Sequence, residues 1–215
     1  MPTKRRSAQA SARWQTPESV WIDHATLNTS DAAWLCNVRR LTLWAVTVPK
    51  DLLSSLPQLE WLDIRGGSGG SMEYVTKCPN LSYLQVNQVR GLSDLSFLSR
   101  VKTLRFLSIY GLPKVEQLPS LAPLVHLRRL EVGSMKGLSE LAPALEAPAL
   151  RELVLTRAVP LASGDPDAIK DHPTLQAFTW FAEDVPNKTW VPVVEHVGLP
   201  QARILQPDEW FERKR

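Results

Sequence analysis

Two cysteines among 215 residues, Cys36 and Cys78, cannot build a disulfide framework, so the chain must be held by its own core. No apolar run approaches the length of a membrane span. Histidine is scarce as well. His24, His126, His172 and His196 are scattered, with no two at metal-ligand spacing, and each reads as a solvated or capping residue. Glu183 and Asp184 have no partner histidine or motif, which leaves paired-carboxylate catalysis unsupported. The glycines of RGGSGGS, from Arg65, lack the trailing Lys-Ser/Thr of a phosphate cradle and read as a flexible loop. The start, MPTKRR, is basic, but no apolar segment follows it as a secretory leader requires. The stretch before Glu18 has no acid, a feature shared with organellar transit peptides. A disordered tail over residues 1–17 is the reading adopted.

The charge is distributed unevenly. The formal net charge is +3, yet Lys4, Arg5, Arg6, Arg213, Lys214 and Arg215 crowd the two ends. Without those six the body carries −3, which gives it no overall attraction for nucleic acid. Apolar residues make up 44% and charged residues 22%, an ordinary composition for one soluble domain of this length.

What the chain does have is a repeat. The pattern apolar-x-x-apolar-x-apolar occurs as VRRLTL from Val38, LEWLDI from Leu59, LSYLQV from Leu81 and LRFLSI from Leu104. It continues as LRRLEV from Leu127, LRELVL from Leu150 and LQAFTW from Leu175. The central residues are Leu41, Leu62, Leu84, Leu107, Leu130, Leu153 and Phe178, with separations of 21, 22, 23, 23, 23 and 25 residues. Within each segment the alternation turns one set of side chains inward and the other outward, as a short strand requires. A single repeat cannot bury its own apolar set, whereas parallel stacking merges the sets into one core.

Over about residues 34–182 this resembles the leucine-rich-repeat family, whose repeats run roughly 20–29 residues with one strand each. The resemblance implies an α/β fold: a right-handed solenoid with a curved parallel sheet on its concave face and short helical or 3-10 turns on its convex face. Prolines in LPKVEQLPSLAPL and LSELAPALEAPAL argue for irregular turns there, while DPDAIKDH, from Asp165, has the capping acid and early proline of a short helix. Family members often carry Asn five residues after the central Leu. Here those positions are Val46, Gly67, Val89, Leu112, Met135, Ala158 and Glu183, so the loop amides need other partners and irregular loops are expected. The layout expected is a tail over 1–17, an N-terminal cap over 18–37, about seven repeats over 38–182, and a C-terminal cap with a basic tail over 183–215. An eighth, degenerate strand is expected at LPQARIL from Leu199, with Trp190 and Trp210 closing the end. Cys36 and Cys78 lie two repeats apart, too far to bond, and are expected to be buried thiols in a reducing, cytoplasmic compartment.

Three outward columns should line the concave face. Just before the central residue stand Arg40, Trp61, Tyr83, Phe106, Arg129, Glu152 and Ala177. Just after it stand Thr42, Asp63, Gln85, Ser108, Glu131, Val154 and Thr179. Three residues after it stand Trp44, Arg65, Asn87, Tyr110, Gly133, Thr156 and Phe181. Trp44, Trp61, Tyr83, Phe106 and Tyr110 would then form a solvent-facing aromatic patch, with Arg40, Arg65, Arg129, Asp63 and Glu131 as its polar surround. Grouped exposed aromatics mark binding surfaces. The alternative is that the rings stack on one another and are covered. The expected function is therefore non-enzymatic, without cofactor or metal. It is recognition of a protein partner, as an adaptor or as a dedicated inhibitor such as an immunity protein that neutralises a toxin enzyme. Carbohydrate or nucleic-acid binding stands as the rival. On this reading, replacing Trp61 and Tyr83 by Ala would spare the fold and weaken binding.

Overall fold

A computed structural model describes residues 7–203, 205 and 209. Its spine is a sheet of nine strands in sequence order: β1 (Ala12–Thr16), β2 (Ser19–Asp23), β3 (Arg40–Trp44), β4 (Trp61–Arg65), β5 (Tyr83–Asn87), β6 (Phe106–Tyr110), β7 (Arg129–Gly133), β8 (Glu152–Thr156) and β9 (Ala177–Phe181). From β2 onward every pair is parallel and in register, with Leu41 beside Leu62, Leu62 beside Leu84, and so on to Leu153 beside Phe178. These residues and those two positions on, such as Leu43, Ile64 and Ile109, form one continuous buried cluster. The solenoid expected from the spacing is the fold observed.

The repeat array starts one rung earlier than the leucine pattern indicates. Val20 pairs with Leu41 and both are buried, so β2 is a full parallel rung inside the stretch expected to be only a cap. The expected tail is also ordered over residues 7–17. A short helix, α1 (Ala8–Ser11), leads into β1, which pairs antiparallel with β2 and covers what would otherwise be a bare sheet edge. The Arg13–Asp23 ion pair and the edge-on contact of Trp14 with Trp34 fasten it there.

Opposite the sheet the connections are short: 3-10 turns at Leu53–Ser55, Glu73–Lys77 and Ser96–Arg100, and the helices α2 (Ala32–Leu35), α3 (Ala142–Leu145) and α4 (Asp165–Lys170). Between β6 and β7, where Pro113, Pro119 and Pro123 fall, no helix forms. Proline sits in the first turn of both α3 and α4, where its missing N–H costs nothing. Asp165 does not cap α4. It is buried, and its carboxylate accepts from the amides of Ala162 and Leu141, tying one repeat to the one before.

At the far end, α5 (Asn187–Val197) covers the last rung, with Trp190 partly buried against the core. Residues 199–203 contribute single bonds rather than an eighth strand. Phe178 donates to the Pro200 carbonyl, and the Ala202 amide donates to the Thr179 hydroxyl. Ile204 and Trp210, and the basic residues at both ends, lie outside the described residues. No described helix is long and apolar enough to cross a membrane. Cys78 is buried as expected, which pushes its thiol up to about 12, but Cys36, just past the end of α2, is exposed.

The loops that lack the asparagine row are regular after all. The residue four places after each central one donates its amide to the carbonyl at the end of the next strand, over 2.7–2.9 Å. The series runs His24, Ala45, Gly66, Gln88, Gly111, Ser134 and Arg157, and all seven have positive φ, from 48° to 65°. Backbone thus replaces side chain as the acceptor. The old asparagine slot is free to bury Val89, Leu112 and Met135.

Candidate functional site

The three columns form on the concave face as the alternation requires, but they differ in what remains available. In the first column, Trp61 and Tyr83 stack with ring centroids 3.2 Å apart, and Tyr83 and Phe106 with centroids 4.1 Å apart. The Arg40 guanidinium lies 4.7 Å from the Trp61 ring and that of Arg129 lies 5.9 Å from Phe106. Parallel rungs are spaced about 4.8 Å apart, close to the separation at which rings stack, so aromatic residues in successive rungs fall naturally into a pile. The outcome corrects the expectation of a solvent-facing patch: Trp61, Tyr83 and Phe106 are 1%, 5% and 3% exposed. They point away from the leucine core, yet their faces are used by one another and the ends of the pile are closed by arginines. The signal was present in the sequence as Arg, Trp, Tyr, Phe, Arg in five consecutive rungs.

Arg129 is itself only 3% exposed. Its guanidinium pairs with Glu131 at 2.7 Å on its own strand and with Glu152 on the next. The middle column holds a second ion pair. Arg65 donates to Asp63 at 2.8 Å while its guanidinium rests 5.2 Å from the Trp21 ring. Burial raises the Asp63 carboxyl above its usual range and outweighs the hydrogen bond and charge of Arg65 and the charge of Arg40, while the other oxygen of Asp63 has no hydrogen-bond partner among the described residues. Burial also pushes the Tyr83 hydroxyl well above its ordinary value, with Glu131 and Asp63 adding to the effect.

The last column is open. Trp44 is 44% exposed, one of three large apolar side chains that are exposed among the described residues. It tilts against Trp21 with centroids 5.9 Å apart. Beyond it Arg65, Asn87, Tyr110 and Thr156 are half-buried, and Gly133 interrupts the row. Around that glycine is a hollow of about 180 Å³ lined by Asn87, Ser108, Tyr110, Glu131 and Thr156 among others. Of the ten residues expected to meet a partner, Trp44, Tyr110, Arg40, Arg65 and Glu131 thus keep accessible surface. Trp61, Tyr83, Phe106, Arg129 and Asp63 are buried within the face.

His172 contacts the Leu145 carbonyl and accepts from the Thr174 amide, a turn-capping role. His196 meets Asp167 at 2.6 Å on the outer side. No group of three or more His, Cys, Asp or Glu that could hold a metal ion occurs among the described residues.

No family model matches the chain, and no curated protein matches it in sequence. Solved structures do. An internalin (InlF) from Listeria monocytogenes superimposes with a TM-score of 0.59 at 17% identity, over 85% of this chain and 52% of that one. A leucine-rich-repeat protein of Leptospira interrogans superimposes with a TM-score of 0.52 at 16% identity, over 92% of this chain and 52% of that one. This chain is a leucine-rich-repeat solenoid. It spans about half the length of both of these chains, and at such identities the likeness is one of fold.

Proposed function

We propose that the solenoid is a non-catalytic recognition module whose concave face binds another protein. The observation that carries this reading is the open column. Trp44 stays 44% exposed at the head of a row of half-buried polar residues, beside a face otherwise closed by stacking and ion pairs. An exposed tryptophan on a rigid, ordered surface is the kind of group that anchors protein interfaces. The surface of first resort is Trp44, Arg65, Asn87 and Tyr110, with Arg40 and Glu131 at its margin. Trp61, Tyr83, Phe106, Arg129 and Asp63 support it from beneath. The mixed signs of charge favour a protein over a polyanion. The free thiols, one of them exposed, favour a reducing compartment such as the cytoplasm.

A partner recovered with the tagged protein from its native lysate tests this directly. The Trp44→Ala/Tyr110→Ala double variant should retain its circular dichroism and lose at least about tenfold in partner recovery, the scale of one interface anchor. Val125→Arg, at an exposed site outside the strands, should leave recovery unchanged. Equal recovery by the double variant, or loss confined to Val125→Arg, overturns the reading. A single tight one-to-one enzyme partner would make the module a dedicated inhibitor, of the immunity-protein kind. Several weaker partners would make it an adaptor.

A further inference from the structure

The hollow around Gly133 has chemistry of its own. Gly133 sits between Tyr110 and Thr156 in the open column, and a Cβ there would lie 2.5 Å from the Tyr110 ring and 3.1 Å from Thr156 Cβ. The glycine therefore lets the Tyr110 ring lie against the strand and form one wall, instead of continuing the row of side chains. On the floor, Ser108 is 6% exposed as a residue; its hydroxyl makes no hydrogen bond among the described residues and keeps access to the hollow. A hydroxyl that makes no bond within the protein and opens onto a hollow offers one to a group that enters it. Glu131 makes both of its contacts with Arg129 through Oε1, so Oε2 is uncommitted. The side chains of Asn87 and Thr156, also on the lining, make no hydrogen bond among the described residues either. Charge points the same way: one arginine, Arg129, faces two carboxylates, Glu131 and Glu152.

We propose that this notch takes an arginine side chain of the protein partner; the inference rests on the recognition reading above. A carboxylate oxygen, two hydroxyls and an amide oxygen are acceptors, and guanidinium is the side-chain group that offers five donors and no acceptor. Its plane matches the Tyr110 ring for stacking, while Glu131 Oε2 supplies the charge-assisted bond. A lysine fits less well, since its point charge cannot both stack and serve several acceptors set around a ring. An apolar side chain would leave the Ser108 hydroxyl without a bond, and an acidic one, though it could accept from that hydroxyl, would be repelled by Glu131.

The test needs no partner. N-acetyl-arginine methylamide is titrated into the full 15N-labelled chain, with the citrulline analogue, of the same shape but uncharged, as comparison. The arginine compound should give saturable shifts centred on the amides of Ser108, Glu131, Gly133 and Thr156, with citrulline at least tenfold weaker. Glu131→Gln, which keeps an acceptor for Arg129, should weaken binding at least tenfold, and Thr156→Leu should block it by filling the notch. Val125→Arg, outside the strands, should leave it unchanged. No saturable shift, equal shifts from citrulline, or indifference to both notch variants overturns the proposal. If the fragment fails while Trp44→Ala/Tyr110→Ala still abolishes partner recovery, the notch falls and the recognition face stands. If the fragment binds while partner recovery is indifferent to that double variant, the recognition face falls instead.

Discussion

The first and last columns of the concave face lie four residues apart on the same strands and point the same way, yet one is closed and the other open. On β5, Tyr83 is 5% exposed between two rings, whereas Asn87 is half-buried with no side-chain partner among the described residues. Strand alternation fixes direction only. Whether an outward side chain meets solvent depends on what the neighbouring rungs carry in the same column. Flat residues in consecutive rungs use each other up. A glycine or a small polar residue breaks the run and leaves room.

The largest effect expected from this contrast is on stability. Tyr83→Ala removes the middle ring of the pile and should cost about 3 kcal/mol in urea unfolding, as for other buried aromatics cut to alanine. Asn87→Ala on the same strand should change stability by no more than about 0.5 kcal/mol. Equal costs would erase the distinction between the columns. This expectation reverses the one drawn from the pattern alone, in which Tyr83 was a dispensable surface anchor.

A smaller effect should sharpen the middle column. Because burial outweighs Arg65, the folded-state pKa of Asp63 lies above its unfolded value, so folded protein takes up this proton more readily than unfolded chain. Ionised Asp63 therefore subtracts stability at neutral pH, and the loss is relieved as pH falls through the raised pKa. Urea midpoints followed from about pH 7 down toward about pH 4 should show the native protein gaining on Asp63→Asn. Parallel curves would mean that Arg65 and Arg40 offset the burial of Asp63 in full.

The smallest effect concerns the corners beyond the open column. Gln88 is exposed and held at φ 53°, a conformation costly for any residue with a Cβ. Gln88→Gly should raise stability by about 0.5 kcal/mol, the relief of strain less the added freedom of the unfolded chain. A loss of stability would show that the side chain contributes something the backbone does not.

The repeat itself was plain in the sequence, because seven leucine-like centres return at near-constant spacing and the inward and outward sets follow from alternation. The rung at β2 was hidden because Val20 and Ile22 stand where leucines would, and it follows a hairpin instead of another repeat. The corner geometry was hidden for another reason. Its occupants are His, Ala, Gly, Gln, Gly, Ser and Arg, a set with no shared side-chain chemistry, because only the backbone bonds. Residue identities placed Trp44, Arg65 and Tyr110 on the face and carried the Arg-Trp-Tyr-Phe-Arg run, but did not decide between rings facing solvent and rings stacked on one another. Nor did they show that Gly133, which reads as a gap in a column, opens a polar hollow.

The seven corner bonds run without a break from His24 to Phe181 alongside the open column. Shifting one rung against its neighbour would break a bond of this series, so the column resists local distortion along its whole length. Trp44 and Thr156, five rungs apart in the same column, therefore keep a constant separation before anything docks. Such a surface works as a ruler. It favours ligands whose contact groups already have the matching spacing, and little ordering remains to be done when they arrive.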